Sequence, residues 1–142
     1  TVTGARGMEV TMDEKLSEID DQCDLVVLPG GIPGVPNLKT NSKVQAMVKA
    51  QNDRGGYVAA ICAGPTALGA FGVLADKNAT CYPGCEDQLM AKRHSTEPVV
   101  VDGNVITSRG VGTAIEFALK LVEILIDRQT ADDLAEKIVY KR

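Results

Sequence analysis

The residue with the clearest capacity for chemistry is Cys62, which stands in the segment AAICAGPTAL, residues 59–68. The apolar residues before it predict a buried strand that ends at the cysteine, and the Gly-Pro pair after it predicts the first turn of a helix. Small residues at positions 60, 63 and 64 allow the close backbone approach that a tight strand-to-helix turn requires. The segment therefore has the pattern of a nucleophile elbow in which cysteine replaces serine.

An elbow of this kind would activate the Cys62 thiol. Nucleophiles at such turns often sit in strained backbone, and the positive end of the following helix lowers the pKa of a thiol. Free backbone N–H groups at the turn could also stabilise an oxyanion. The alternative is a small, inert cysteine buried at a strand end. The local pattern leaves both interpretations open, and the Gly-Pro pair with its small neighbours favours the reactive one.

A general base for Cys62 is harder to find. The chain has one histidine, His94, and its neighbours in AKRHSTE predict a surface position. A Cys-His pair is therefore poorly supported. No glutamate stands at an obvious strand end that would face the elbow.

Two further segments are expected beside the elbow. Gly30 and Gly31 end the buried strand formed by residues 25–28, and open α/β sheets bind ligands at the carboxyl edge of their parallel strands. Residues 107–110, TSRG, end another strand before a helix, and their backbone N–H groups and Arg109 could hold an anion. The plainer alternatives are an ordinary Gly-Gly turn and an ordinary strand-to-helix cap.

Composition and charge exclude several classes of partner. The chain has 142 residues, with 15 Lys and Arg against 19 Asp and Glu, so its net charge is −4. This mild acidity argues against binding to nucleic acid, which needs basic patches. No apolar run approaches the roughly 20 residues of a membrane span, and the first ten residues lack the apolar core of a signal peptide. We therefore expect neither nucleic acid nor a membrane as a partner.

The four cysteines are expected to be reduced, in a cytoplasmic protein. An α/β core of this size does not need disulfide bonds. Cys81 and Cys85 resemble half of a zinc knuckle, but a second pair and supporting histidines are missing. We expect no metal and no organic cofactor.

The order of predicted elements indicates an α/β layered fold in a single domain, residues 1–142. Residues 25–28 and 57–61 predict buried parallel strands. The helix between them is capped by Asn41 or Ser42 and ended by Gly55-Gly56, which implies a right-handed crossover. We further expect a Gly/Pro loop at GGIPGVPN, a helix over AGPTALGAFGVL, a weak strand at 79–82, a short helix at 86–93, a hairpin of 99–101 with 105–107, and helices over GTAIEFALKLVEILIDR and residues 130–137.

The segments VVLPGG, AAICAGPTAL and ITSRGVGTAIEFALKLVE together resemble the ThiJ/PfpI superfamily, and most nearly its branch of the Parkinsonism-associated protein deglycase and bacterial relatives. The resemblance extends from Arg6 to the last helix. The cysteine elbow and the TSRG segment, in this order, are highly specific. The resemblance implies a flavodoxin-like three-layer α/β sandwich with a mainly parallel sheet, and usually a homodimer.

The resemblance also implies roles for individual residues. It makes Cys62 the catalytic residue and assigns the oxyanion site to the backbone at Gly31 and Ala63. It implies substrate or anion binding by Gly30, Ser108, Arg109 and Arg6.

Two functions follow from the resemblance. The first is glutathione-independent conversion of methylglyoxal-type aldehydes to hydroxy acids, with repair of glycated groups and protection against oxidants. The second is a non-catalytic redox sensor or chaperone that acts through oxidation of Cys62. A third, amidase-like function needs a Cys-His-Glu set that His94 cannot easily supply.

The chain also departs from the family pattern. The family begins with a strand, a helix and a second strand, and its first strand is followed by a glutamate that hydrogen-bonds the elbow cysteine. Residues 1–10 contain no convincing strand, so we expect an N-terminally incomplete domain whose missing unit was removed or lies on a separate chain. Ala63 replaces the histidine of protease-like members, which weakens a peptidase function.

Two more departures concern the loop that should approach the elbow. Tyr82 stands where the branch often has histidine, although some relatives carry tyrosine there. Cys85 follows a Pro-Gly turn in the same loop. It is either a resolving thiol for an oxidised Cys62 or an incidental cysteine.

Overall fold

The computed structural model describes residues 1–20 and 22–142. Eight strands lie within these residues: β1 (Val2–Thr3), β2 (Glu9–Val10), β3 (Leu25–Leu28), β4 (Tyr57–Ile61), β5 (Asn78–Ala79), β6 (Arg93–His94), β7 (Val99–Asp102) and β8 (Val105–Ser108). The helices of the same residues are α1 (Gly34–Thr40), α2 (Ser42–Asp53), α3 (Pro65–Ala70), α4 (Ala114–Leu125) and α5 (Arg128–Lys137), with 3-10 turns at Glu86–Gln88 and Val111–Thr113.

The central sheet has the strand order β3-β4-β8-β7. β3, β4 and β8 run parallel, and β7 returns antiparallel to β8. Leu28 lies opposite Ala60, and Ile61 lies opposite Ser108. The parallel crossover and the predicted hairpin are therefore confirmed. The register brings the segments that follow β3, β4 and β8 to the same edge of the sheet.

Helices cover both faces of this sheet. Side chains alternate along a strand, so Val58 and Ala60 join the apolar cluster that includes residues of α1, α2 and α3. Ala59 faces the opposite side and packs in a second cluster with Ile106 and with Phe117 of α4. The predicted three-layer α/β sandwich is confirmed.

The N-terminus of α2 shows how the sequence positions a helix. The side-chain oxygen of Asn41 accepts hydrogen bonds from the backbone N–H groups of Lys43 and Val44, at 3.0 and 3.1 Å. An N-cap of this kind satisfies donors that have no partner within the helix. The predicted cap is therefore confirmed, and Asn41 fills it.

Three local predictions are corrected. GGIPGVPN is not wholly a loop, because α1 begins at Gly34 and Pro36 lies in its first turn, where a missing N–H costs nothing. Residues 86–93 form only a 3-10 turn and then β6. The strand expected at 79–82 is β5, at Asn78–Ala79.

The helix after the elbow is also shorter than expected, because Gly72 ends it. Gly72 adopts φ +79. Its N–H donates to the Gly69 carbonyl at 2.9 Å, and the Val73 N–H donates to the Leu68 carbonyl at 3.1 Å. This is a Schellman motif, which satisfies the last carbonyls of a helix.

β3 is an edge strand with an uncovered side. Within the described residues it pairs only with β4, and Val27 is 42% exposed. A hollow of about 740 Å³ runs along β3, lined in part by Leu16, Ile19 and Leu38. The chain opens on β1 and β2, which form a small exposed hairpin outside the central sheet.

α4 is strongly apolar on one side and packs against both the sheet and α5. Its 12 residues are too few to span a bilayer, and the other helices of the described residues are equally unsuited to doing so.

Candidate active site at the carboxyl edge of the sheet

Cys62 occupies the turn between β4 and α3 in a strained conformation. Its φ is +65, a region that non-glycine residues rarely adopt. Its N–H donates to the Ser108 carbonyl at 3.0 Å, and its carbonyl accepts from the Tyr82 N–H at 2.8 Å. The backbone of Cys62 is therefore held from two sides while its side chain stays partly accessible. Strain of this kind is typical of functional turns.

Gly64 allows the end of β3 to approach the elbow. A Cβ atom on Gly64 would lie 2.6 Å from the Leu28 carbonyl oxygen, 2.8 Å from that of Ile61 and 3.0 Å from that of Pro29. All three distances are shorter than van der Waals contact. The small residue expected at this position is thus a steric requirement of the turn.

Gly30 lies directly against the Cys62 side chain. A Cβ atom on Gly30 would lie 2.6 Å from Cys62 Cβ and 3.2 Å from Cys62 Sγ. The absence of a side chain at this position therefore makes room for the thiol.

This contact predicts that Gly30→Ala displaces the thiol. We expect the rate of Cys62 alkylation by iodoacetamide to change by about tenfold or more, with a stability loss of about 1–3 kcal/mol from overpacking. Gly34→Ala is the matched control, because a Cβ atom there meets nothing within 4 Å. Equal alkylation rates in Gly30→Ala and in the wild type would contradict the assigned contact.

Two backbone N–H groups without partners in the described part of the chain follow β3 and β4, at the sheet edge that carries Cys62. The N–H groups of Gly31 and Ala63 donate no hydrogen bond to another atom of the described residues. Their carbonyls point elsewhere: that of Gly31 accepts from Val35 N–H, and that of Ala63 accepts from Thr66 N–H. Unpaired N–H groups of this kind are what an oxyanion site needs. Their role toward a substrate stays a prediction.

Arg109 lies near the elbow, beside the loop that carries Tyr82. Its guanidinium is within 3.5 Å of the carbonyl oxygens of Cys81 and Thr96. Arg109 and Tyr82 line a shallow cleft of about 420 Å³ together with Val111 and neighbouring residues. The cleft offers a cation next to an aromatic ring, while Cys62 itself is not among its lining residues.

Ser108 and Arg6 are placed differently. The Ser108 hydroxyl is buried and engaged, at 2.7 Å from both the Pro98 carbonyl and Thr113 Oγ1. Its backbone, not its hydroxyl, contacts Cys62. Arg6 lies in the exposed turn of the β1–β2 hairpin, and no hydrogen bond or ion pair of the described residues joins it to the elbow. Anion binding by these two residues stays a prediction.

The described residues supply no side-chain partner to the thiol. No hydrogen bond to Cys62 Sγ is present within residues 1–20 and 22–142. His94 is exposed on β6, as its polar neighbours predicted. The same part of the chain brings no three metal-ligating side chains of the His, Cys, Asp or Glu type together.

Cys81 is the most perturbed titratable group near the site. Burial, and then the charge of Glu86, raise the pKa of its thiol to about 11. Its side chain is fully buried in the main apolar cluster. At neutral pH Cys81 is therefore a protonated thiol and a weak nucleophile.

The raised pKa of Cys81 predicts a pH dependence of stability. The thiol ionises near pH 9.0 when exposed and near 11 when folded, so the unfolded state binds fewer protons between these values. The contribution of this thiol to the free energy of unfolding is complete below pH 9 and is lost as the pH rises through 11. In urea unfolding, we expect the stability difference between wild type and Cys81→Ala to shift by about 2 kcal/mol over this range. A constant difference would contradict the raised pKa.

Comparison with known proteins identifies the architecture. The model of the DJ-1/PfpI family matches residues 1–124. The chain belongs to this family. It is 41% identical to the Parkinson disease protein 7 homolog of Danio rerio, an alignment that covers 99% of this chain and 82% of that relative. The predicted ThiJ/PfpI resemblance is thereby confirmed.

Two other members of the DJ-1/PfpI family are also similar to this chain. The glutathione-independent glyoxalase DJR-1.2 of Caenorhabditis elegans is 35% identical, with 94% of this chain and 73% of that relative covered. The solved structure of oxidized Toxoplasma gondii DJ-1 superposes with a TM-score of 0.92 at 34% identity, covering 97% of this chain and 76% of that one. The second match confirms the flavodoxin-like fold.

Sequence reasoning missed two contacts of the site. Nothing in the pattern shows that Gly30 rather than Gly31 touches the thiol, because the contact crosses from one strand end to the next. The hydrogen bond from Tyr82 to Cys62 was also missed. Pro83 and Gly84 signal the turn that carries this bond, but they do not show where the turn docks.

Proposed function

We propose that this chain is a cysteine-dependent, glutathione-independent glyoxalase, related to protein deglycases, that acts on methylglyoxal-type aldehydes and protects against oxidative stress. The observation that carries the proposal is Cys62 in a strained elbow, at the sheet edge where the N–H groups of Gly31 and Ala63 are unpaired. The glyoxalase name of the Caenorhabditis elegans relative supports the same reaction.

The reaction begins at the thiol. The Cys62 thiolate attacks the aldehyde carbon of methylglyoxal and forms a hemithioacetal, whose oxyanion the Gly31 and Ala63 N–H groups stabilise. A carboxylate base then moves the proton from the former aldehyde carbon to the neighbouring carbonyl carbon, which leaves a lactoyl thioester. Water cleaves the thioester, releases lactate and restores the thiol. Overall, methylglyoxal and water become lactate without an oxidant.

Among the described residues, no carboxylate is hydrogen-bonded to Cys62 and could act as this base. We propose that it is a glutamate on a strand–helix–strand unit that packs against the single domain formed by residues 1–142. The uncovered edge of β3 and the hollow along it support the placement of such a strand. A strand added there parallel to β3 would end at the same sheet edge as Cys62.

The experiment is a lactate assay in glutathione-free buffer. The 142-residue chain is compared with the same chain extended at Thr1 by the preceding residues of the Danio rerio relative. We expect turnover to rise on extension and to require Cys62. Absence of turnover in both proteins would overturn the glyoxalase proposal.

The second candidate is a redox sensor or chaperone in which oxidation of Cys62 is the signal. The oxidized state named for the Toxoplasma gondii structure favours it. This function predicts rapid oxidation of Cys62 at low peroxide together with negligible glyoxal turnover. Equal oxidation rates at all four cysteines would count against it.

We also propose that the protein acts as a homodimer in the cytoplasm. Apolar side chains near the Arg109 cleft support a buried partner surface, since Val111 is 91% and Ile115 is 48% exposed. Sedimentation equilibrium tests this: a monomer at micromolar concentration would contradict it.

A further inference from the structure

A second thiol, Cys85, is attached to the elbow by a short chain of hydrogen bonds. The Tyr82 N–H donates to the Cys62 carbonyl at 2.8 Å, and the Cys85 N–H donates to the Tyr82 carbonyl at 3.0 Å. Residues 82–85 form a four-residue turn with Pro83 second and Gly84 third, at φ +94. These are the residues that a type II turn favours. Pro83 and Gly84 therefore favour the turn that links Cys85 to the segment bonded to the elbow.

The turn lies at the surface while Cys85 points partly inward. Tyr82, Pro83 and Gly84 are exposed, and Cys85 is half-buried and packs against the apolar cluster that includes Ala63. On its far side, the Gly84 N–H donates to the Glu86 carboxylate at 2.7 Å. Because the backbone of Tyr82 is hydrogen-bonded to both Cys62 and Cys85, the two cysteines lie on neighbouring segments at the same edge of the sheet.

The other two cysteines do not fit the same role. Cys81 is fully buried, and burial raises the pKa of its thiol to about 11. Cys23 precedes β3, whereas Cys62 follows the parallel strand β4. The two residues therefore lie at opposite edges of the sheet, separated by about 13 Å of strand.

We propose that Cys85 is the resolving thiol of Cys62, so that a hydroperoxide converts the pair to a disulfide and not to a Cys62 sulfinate. The Cys62 thiolate attacks a hydroperoxide oxygen, the O–O bond breaks, and Cys62 becomes a sulfenic acid while an alcohol or water leaves. The Cys85 thiolate then attacks Cys62 Sγ, the S–O bond breaks, and hydroxide leaves as water with the proton that Cys85 released. A dithiol reductant returns both residues to thiols.

The disulfide makes the oxidation of Cys62 reversible. A sulfenic acid that meets more peroxide becomes a sulfinic acid, which thiols do not reduce. Capture by Cys85 removes the sulfenic acid before that second oxidation. The step needs no glyoxal turnover, so its test is independent of the proposed function.

The experiment treats the full chain with hydrogen peroxide, blocks free thiols, and maps the peptides without reduction. In the wild type we expect a Cys62–Cys85 disulfide. In Cys85→Ser we expect the sulfinate fraction at Cys62 to rise about threefold or more, and Cys85→Ala gives the same result if the serine variant fails to fold. Cys23→Ser is the matched control and should behave as the wild type.

Two results would overturn the proposal. One is the same sulfinate fraction in the wild type and in both Cys85 variants. The other is a disulfide that joins Cys62 to Cys81 in place of Cys85.

Discussion

Replacing Cys62 with serine should lower kcat/KM for methylglyoxal by at least about 10³-fold, because a serine hydroxyl ionises far less readily than a thiol and is a much weaker nucleophile. The substitution keeps the size of the side chain, so the elbow and its two hydrogen bonds to Ser108 and Tyr82 are retained. The measurement is the initial rate of lactate formation by the extended protein in the absence of glutathione.

Cys23→Ser is the control for this comparison. Cys23 is exposed and precedes β3, so its loss should leave kcat/KM within about twofold of the wild type. Thermal melts of both variants distinguish lost chemistry from lost folding. Full activity in Cys62→Ser would mean that another group is the nucleophile.

A large effect on stability is expected for Gly64→Ala at the elbow. Gly64 already has helical dihedral angles, φ −52 and ψ −41, so alanine is acceptable to the backbone and the whole penalty is steric. Its Cβ atom would press against three carbonyl oxygens, those of Leu28, Pro29 and Ile61. Backbone atoms cannot rotate away as side chains do. We expect a loss of about 2–3 kcal/mol in the free energy of unfolding, measured by urea denaturation.

A second glycine provides the contrast. Gly112→Ala places a Cβ atom with nothing within 4 Å, and its free energy of unfolding should stay within about 0.5 kcal/mol of the wild type. Similar values for the two alanine variants would show that the end of β3 does not press against the elbow as closely as the structure indicates.

The elements around the site could be predicted because their signals are local. β4 is a continuous apolar run, α2 has a cap and a Gly-Gly stop, and Asp102 to Asn104 signal a hairpin turn. Parallel strands then bring the ends of β3, β4 and β8 together without further information. The position of Cys62 therefore followed from the sequence.

Other features could not be predicted, because they depend on contacts between distant segments. α1 was hidden by two prolines and three glycines in GGIPGVPN that favour a loop, although a helix tolerates proline in its first turn. Gly72 is a residue type that commonly ends a helix, but the apolar residues after it favoured a longer helix. The contact of Gly30 with the thiol and the docking of the Tyr82 turn have no local signature.

The proposed function assigns to Cys62 the conversion of glyoxals without glutathione. The most direct test follows carbon-labelled methylglyoxal by NMR with the extended protein and with its Cys62→Ser variant. We expect lactate with the first protein and none above the uncatalysed rate with the second. Equal lactate formation by both would contradict it.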